Sequence, residues 1–250
     1  MKIAVCIKRT PDTESRFAIA ADGKSLDAAG LKYDISDFDG YALEVALRLN
    51  EQQGPGETVV VSAGPEGTQE ILRKALSIGA DRAIHLGCDT LPYDGMAVAA
   101  ALSAELRGQE YDLILFGRNA TDSGNATVGL MTAALLDLPC VSAVSWLEIK
   151  EGRGTAHREL EGVTETVGFG LPAVLTIDEG IARPRLPSLK GIMAAKKKPL
   201  ETRPAALGEA RLTVVAMELP PERTGGRIVG EGPDAVPELV RLLREEAKVL

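Results

Sequence analysis

The sequence predicts a doubly wound parallel α/β sheet extended by antiparallel hairpins and a C-terminal arm, and three observations lead there. Unbroken apolar runs at Lys2–Ile7, Thr58–Ser62, Ala83–Leu86 and Leu113–Phe116 have the length of parallel strands buried on both faces. Segments with helical apolar spacing alternate with them at Phe38–Asn50, Glu70–Ile78 and Asp94–Leu106. Turn residues close the runs, as at Ala63-Gly64-Pro65 and Gly79. Repeated strand–helix units require right-handed crossovers, and those cover both faces of one sheet with helices.

In chain order, the first strand ends at Lys8-Arg9-Thr10-Pro11, and Phe17–Asp27 reads as a small hairpin around Ala-Asp-Gly-Lys. Asp37 and Asp39 put negative charge at the start of the first helix, where the helix dipole favours it. Gly117 ends the fourth strand, a polar loop follows, and from Gly124 the spacing of Val128, Met131, Leu135 and Leu136 is helical. After Pro139 the texture becomes β-rich. Ser142–Ile149, Thr155–Leu160 and Val163–Phe169 read as hairpin strands, and Ala173–Ile177 as a buried strand. A proline-containing loop spans Gly180–Pro187, and Ser188–Ala195 is a short helix with Lys196, Lys197 and Lys198 at its solvated end. Arg211–Met217 reads as a last strand, Leu219–Pro233 as an arm without a core of its own, and Ala235–Ala247 as an amphipathic helix. This divides the chain into an α/β region, residues 1–198, and a C-terminal arm and helix, residues 199–250.

A hydrophobic share of 45% supports a large core, and a net charge of −8 argues against nucleic acid as the main partner. No apolar run reaches membrane-spanning length, and the chain enters a strand at once, which points to a cytoplasmic protein that does not insert into membranes. Cys6, Cys88 and Cys140 are widely spaced in apolar context and read as reduced, buried thiols. His85 and His157 fit no metal-ligand spacing.

In a doubly wound sheet, ligands bind beyond the carboxyl ends of the strands, where the winding reverses. With the first strand central, the candidate loops follow Ile7, Ser62 and Phe116. The third, Gly117 to Val128, joins a strand to a helix start through Gly, Asn, Asp, Ser and Thr, a setting in which free N–H groups meet a phosphate. Its glycine spacing is neither that of a P-loop nor that of the dinucleotide fingerprint. Asp122 with Ser123 is the nearest approach to a catalytic pair, and it reads as a cap of the following helix. No catalytic residue is identified. A stand-alone nucleotide-binding regulatory domain of universal-stress type is the rival reading, and the hairpins and arm of residues 140–250 argue against it.

Ile3–Arg9, Phe38–Leu49, Ser62-Ala63-Gly64-Pro65, Ala75–His85, Gly117–Gly129, Arg158-Glu159, Leu171–Thr176, and Pro184-Arg185 through Leu189, Ile192-Met193 and Lys198 occur here in one order. Together they resemble the β subunit of electron transfer flavoprotein over nearly the whole chain. The resemblance implies a Rossmann-like fold and a heterodimer whose α subunit holds most of a redox-active FAD. The β subunit would bury AMP, or a second FAD in electron-bifurcating members. It places nucleotide contacts on Cys6, Ser36, Asp37, Phe38, Asp39, Ala63, Gly117, Arg118, Asn119, Ala120, Thr121, Asp122, Ser123, Gly124, Asn125, Ala126, Thr127 and Val128. Thr13 and Phe38 match positions that touch the flavin held by α. Glu159, Arg183, Arg185 and Leu189 match partner-facing positions, with Leu189 the anchor for dehydrogenases and Glu159 the carboxylate that pins α's mobile domain.

The chain departs from the family in three places, the first being Ser36, which stands where the family usually has Asn before the first helix. In Gly117–Gly129 it keeps Ala120, Asp122 and Gly129 but lacks the Asn-Gln-Thr trio of the AMP-binding pattern; it shares Ala126 and Val128 with the bifurcating pattern yet differs from that one at Ser123, Gly124, Asn125, Thr127 and Leu130. Arg183 stands where the family usually has Glu, which implies a more acidic partner.

Overall fold

The computed structural model describes residues 1–221 and 225–250. In chain order the elements are strands β1 (Lys2–Cys6), β2 (Arg9–Pro11) and β3 (Tyr33–Ile35), helix α1 (Asp37–Gln53), β4 (Glu57–Gly64), α2 (Thr68–Ile78), β5 (Arg82–Gly87), α3 (Gly95–Leu106), β6 (Leu113–Gly117) and α4 (Val128–Leu136). Then come β7 (Cys140–Lys150), β8 (Arg153–Leu160), β9 (Val163–Gly170), β10 (Ala173–Ile177), α5 (Leu189–Ala195), β11 (Leu200–Pro204) and α6 (Val236–Glu245), the last entered through a 3-10 turn at Pro233–Ala235.

Nine strands form one sheet in the order β11-β5-β4-β1-β6-β10-β7-β8-β9. From β11 to β7 the neighbours are parallel, and β7-β8-β9 continue as an antiparallel meander. The chain winds from β1 outward through β4 and β5, then returns to the other side of β1 with β6. The winding therefore reverses at β1, as the sequence predicts. Alternation along β1 shows the two layers. Ile3, Val5 and Ile7 pack with Leu43, Val45, Leu72 and Leu76 of α1 and α2, whereas Ala4 and Cys6 pack with Leu102, Leu106 and Ala133 of α3 and α4.

The structure revises several expectations. Among the described residues Arg211–Met217 pairs with no strand, while Leu200–Pro204 joins the sheet edge by parallel pairing with β5. The described residues fall into two compact units, Met1–Met217 and Glu218–Leu250. Part of the Leu219–Pro233 arm lies outside the described residues. Helix α4 begins at Val128 rather than Gly124, since Ala126 adopts φ +52° and interrupts the helical path. Cys6 is buried as expected, Cys88 is half-buried and Cys140 is exposed. Lys198 is not solvated. Its Nζ donates to the carbonyls of Leu76, Gly79 and Ala80 at 3.0, 3.3 and 2.6 Å, neutralising the C-terminus of α2. Among the described residues no helix is long and apolar enough to cross a membrane.

Candidate functional site

A cleft of about 380 Å³ opens beyond the carboxyl ends of β1, β4 and β6. Cys6 and Ala63 lie at the strand ends, Gly117, Arg118, Asn119 and Ala120 continue β6 over the opening, and Asp122, Ser123, Asn125, Ala126, Thr127 and Val128 complete that side. Asp39 reaches in from the first turn of α1. Leu91, Val98, Leu102 and Phe116 supply an apolar wall, and Lys8, Arg9 and Thr68 add polar groups.

The floor of the cleft is built by Asp39. Its carboxylate is buried and accepts the Lys8 N–H at 2.7 Å through one oxygen and the Gly117 N–H at 2.9 Å through the other, tying β1 to β6. Burial pushes this carboxyl up to about 7, against the two N–H donors and Lys8, with Asp122 adding a smaller push upward. In the unfolded chain the group ionises near its ordinary value of 3.8, whereas the fold retains the proton until about 7. Stability is therefore expected to fall as pH rises through that window, by roughly 1.4 kcal/mol per pH unit. Asp39→Asn, which does not titrate, should remove that slope; urea unfolding of both proteins at pH 5, 6 and 7 measures it. Parallel slopes would rule out the raised pKa.

Gly117 shows why this floor admits no side chain. A Cβ there would stand 2.5 Å from Asp39 Oδ1 and 2.6 Å from backbone atoms of Phe38 and Asp39. Across the mouth, Lys8 Nζ pairs with Asp122 at 2.7 Å. Ser36 is fully buried and lines no part of the cleft; its Oγ accepts the Thr121 N–H at 3.2 Å and so holds the loop from behind. Three side-chain atoms of cleft residues are buried without a partner among the described residues: Arg9 Nε, Thr68 Oγ1 and Asn119 Oδ1. Arg9 stacks its guanidinium on Tyr33 at 3.3 Å, which fixes its aim.

The remaining expected contacts lie outside the lining. Gly124 (φ +63°) and Thr121 belong to the loop that carries it, and Asp37 is an exposed first-turn residue of α1. Thr13 is exposed, and Phe38 lies edge-on to Tyr41 with the Arg118 guanidinium 5.0 Å from its ring. Lys8 and Arg9 belong to the candidate loop after Ile7 but are not named as contacts from the sequence, and Thr68 and the 90–93 loop are not nominated at all. Thr68 and the 90–93 loop arrive only by tertiary folding.

A second surface lies on the loop and helix from 183 to 195. Leu186, Leu189 and Met193 are 88%, 84% and 73% exposed. Ser188 caps α5, accepting the Gly191 N–H at 3.0 Å, and Arg73 of α2 donates to the Ala195 and Lys198 carbonyls at 2.7 and 2.8 Å. Arg183 is exposed, whereas Arg185 is drawn onto α1 by Glu44 and Glu51. Glu159 lies on the hairpin sheet, accepting from Thr164 Oγ1 at 2.9 Å and Ser145 Oγ at 3.3 Å.

Comparison with known proteins gives the lineage. Residues 24–207 match the family model described as "Electron transfer flavoprotein domain". The chain is 38% identical to the electron transfer flavoprotein subunit beta of Bacillus subtilis, covering all of both proteins. It is 37% identical to that of Syntrophomonas wolfei, over the whole chain and 98% of the relative, and 34% identical to the human one over 98% of each. A doubly wound sheet with its cleft at the winding reversal, matched along its length to these relatives, belongs to the family of electron transfer flavoprotein β subunits.

Proposed function

We propose that the chain is the β partner of a heterodimeric electron carrier. It holds an adenine nucleotide in the cleft beyond β1, β4 and β6 and contributes Thr13 and Phe38 to an FAD held mainly by an α subunit. The surface around Leu189 receives dehydrogenases. The observation that carries the nucleotide reading is the set of buried, unpartnered atoms on cleft residues, Arg9 Nε, Thr68 Oγ1 and Asn119 Oδ1, beside an apolar wall. Such atoms are stabilised when a ligand supplies the missing hydrogen bonds. An apolar wall beside a few placed polar groups suits a planar base joined to a sugar phosphate, and the volume lies near the lower end of the roughly 300–1,000 Å³ of small-molecule sites. A free AMP and the adenylate half of a second FAD present the same groups here.

When bound, the flavin supplies the electron-accepting chemistry. The chain's own residues position and shield. Asp39 and Gly117 fix the cleft floor, Ser36 supports the loop, and Arg9 and Lys8 offer positive charge. Glu159, on β8, pins the mobile domain of the α subunit in this reading.

Denaturing the co-purified heterodimer and quantifying the released nucleotides tests this reading. One AMP with one FAD, or two FAD, supports it and decides which source fills the cleft. One FAD and no second adenine nucleotide would overturn it. Expressed alone, the β chain should be colourless and turn yellow only with α; a flavin-saturated β monomer would favour the second FAD.

A further inference from the structure

Arg185 belongs to the exposed segment 183–193, yet its side chain turns inward. Its Nε donates to Glu44 Oε2 at 2.8 Å, its NH2 to Glu44 Oε1 at 3.1 Å, and its own backbone N–H to Glu44 Oε2 at 3.2 Å. The NH2 also reaches Glu51 Oε2 at 3.0 Å. Glu44 is 3% exposed and takes a further bond from Arg48 Nε at 2.7 Å. One buried carboxylate on a 17-residue helix thus fixes both the side chain and the backbone at position 185. Pro184 packs close to α1 as well, its Cγ standing 3.8 Å from where a Cβ at Gly40 would be. The next residue, Leu186, is almost wholly exposed, with Leu189 three positions on.

A guanidinium shared between two carboxylates has few donors left for a partner. An apolar patch made of a loop residue, Leu186, and the first residue of α5, Leu189, must be held in shape by something other than its own burial, since exposed side chains lose entropy when they are ordered. We propose that Glu44 and Arg185 are positioning residues of the docking surface, holding Leu186 and Leu189 in a partner-ready arrangement without touching the partner. This rests on the docking reading above and assigns Arg185 an internal role.

The test is a double-mutant cycle in the full heterodimer, reduced by a flavin-dependent dehydrogenase that reduces the wild type. Arg185→Ala alone should raise the dehydrogenase concentration needed for half-maximal reduction about tenfold. The rate at saturation, flavin content and visible spectrum should not change. On a Leu189→Ala background the same change should have little further effect, because residues acting as one unit are non-additive. Arg185→Lys, which keeps the charge but not the fork, should fall between the two. Amide hydrogen exchange at 186–193 should quicken in Glu44→Gln and Arg185→Ala, which also reads the clamp should either variant assemble poorly.

Fully additive effects would show Arg185 contacting the partner directly and overturn the proposal, as would unchanged half-saturation and exchange in Arg185→Ala. Absence of any effect in Leu189→Ala itself would instead remove the docking reading.

Discussion

Gly117→Val is expected to lower the melting temperature by roughly 6–12 °C and to leave the purified heterodimer without its β-bound nucleotide. The reasoning is steric. The new Cβ would sit 2.5 Å from Asp39 Oδ1 and 2.6 Å from the start of α1, and these are largely backbone atoms that cannot rotate away. Either α1 moves or β6 does, and both carry cleft residues. Overpacking of this kind costs on the order of 3 kcal/mol. It also breaks the Gly117 N–H bond to Asp39, the tie that sets the floor. Gly124→Ala is the informative contrast. Nothing lies within 4 Å of its added Cβ, and only the left-handed backbone at φ +63° resists it, at about 1 kcal/mol. Differential scanning calorimetry and nucleotide extraction of the two variants check the pair. A Gly117→Val protein that melts within about 2 °C of wild type would show that α1 and β6 are not packed against each other at this point.

Leu189→Ala should weaken the complex with a partner dehydrogenase about ten- to a hundredfold, corresponding to roughly 1–3 kcal/mol for the apolar area withdrawn from a partner pocket. The side chain is 84% exposed, so the change removes almost no burial from the chain itself. Flavin content, spectrum and melting temperature should stay at wild-type values, while reduction at low dehydrogenase concentration slows and recovers as the concentration rises. Kinetics across a dehydrogenase titration separate the two effects. A variant that unfolds or sheds flavin would place Leu189 in a core and end the docking reading.

The parallel strands were legible because burial on both faces demands continuous apolar runs, and Ala173–Ile177 matches its observed bounds. The hairpins were legible from Gly-containing turns. The edge strand Leu200–Pro204 was not. Its sequence LETRP has three polar residues in succession, with Glu201 and Thr202 both exposed, and only the open edge of β5 makes it a strand. The stretch RLTVVAM had the stronger strand propensity, but among the described residues it pairs with no strand, and Val215 is exposed. In the site, the strand-end and loop residues were nominated by topology plus resemblance, and most of them line the cleft. Ser36 was nominated as a contact, yet its hydroxyl supports Thr121 from behind, a distinction that depends on which way a buried side chain turns. Arg185 shows the same difficulty. An arginine in a proline loop reads as an outward cation until Glu44, 141 positions away, is found beneath it.

The bare Cα of Gly117 against α1 has a bearing on how such a cleft can be altered. Its floor has a single admissible residue at that position, and Asp39 is committed to both strands it joins. Variation that leaves the scaffold intact is confined to the roof, from Arg118 to Thr127, where Asp122 to Ala126 are exposed and Gly124 and Ala126 already hold left-handed turns. Any campaign to change nucleotide choice by mutagenesis should therefore randomise the roof and leave the floor untouched. Libraries that include position 117 will be dominated by destabilised chains that do not retain the nucleotide.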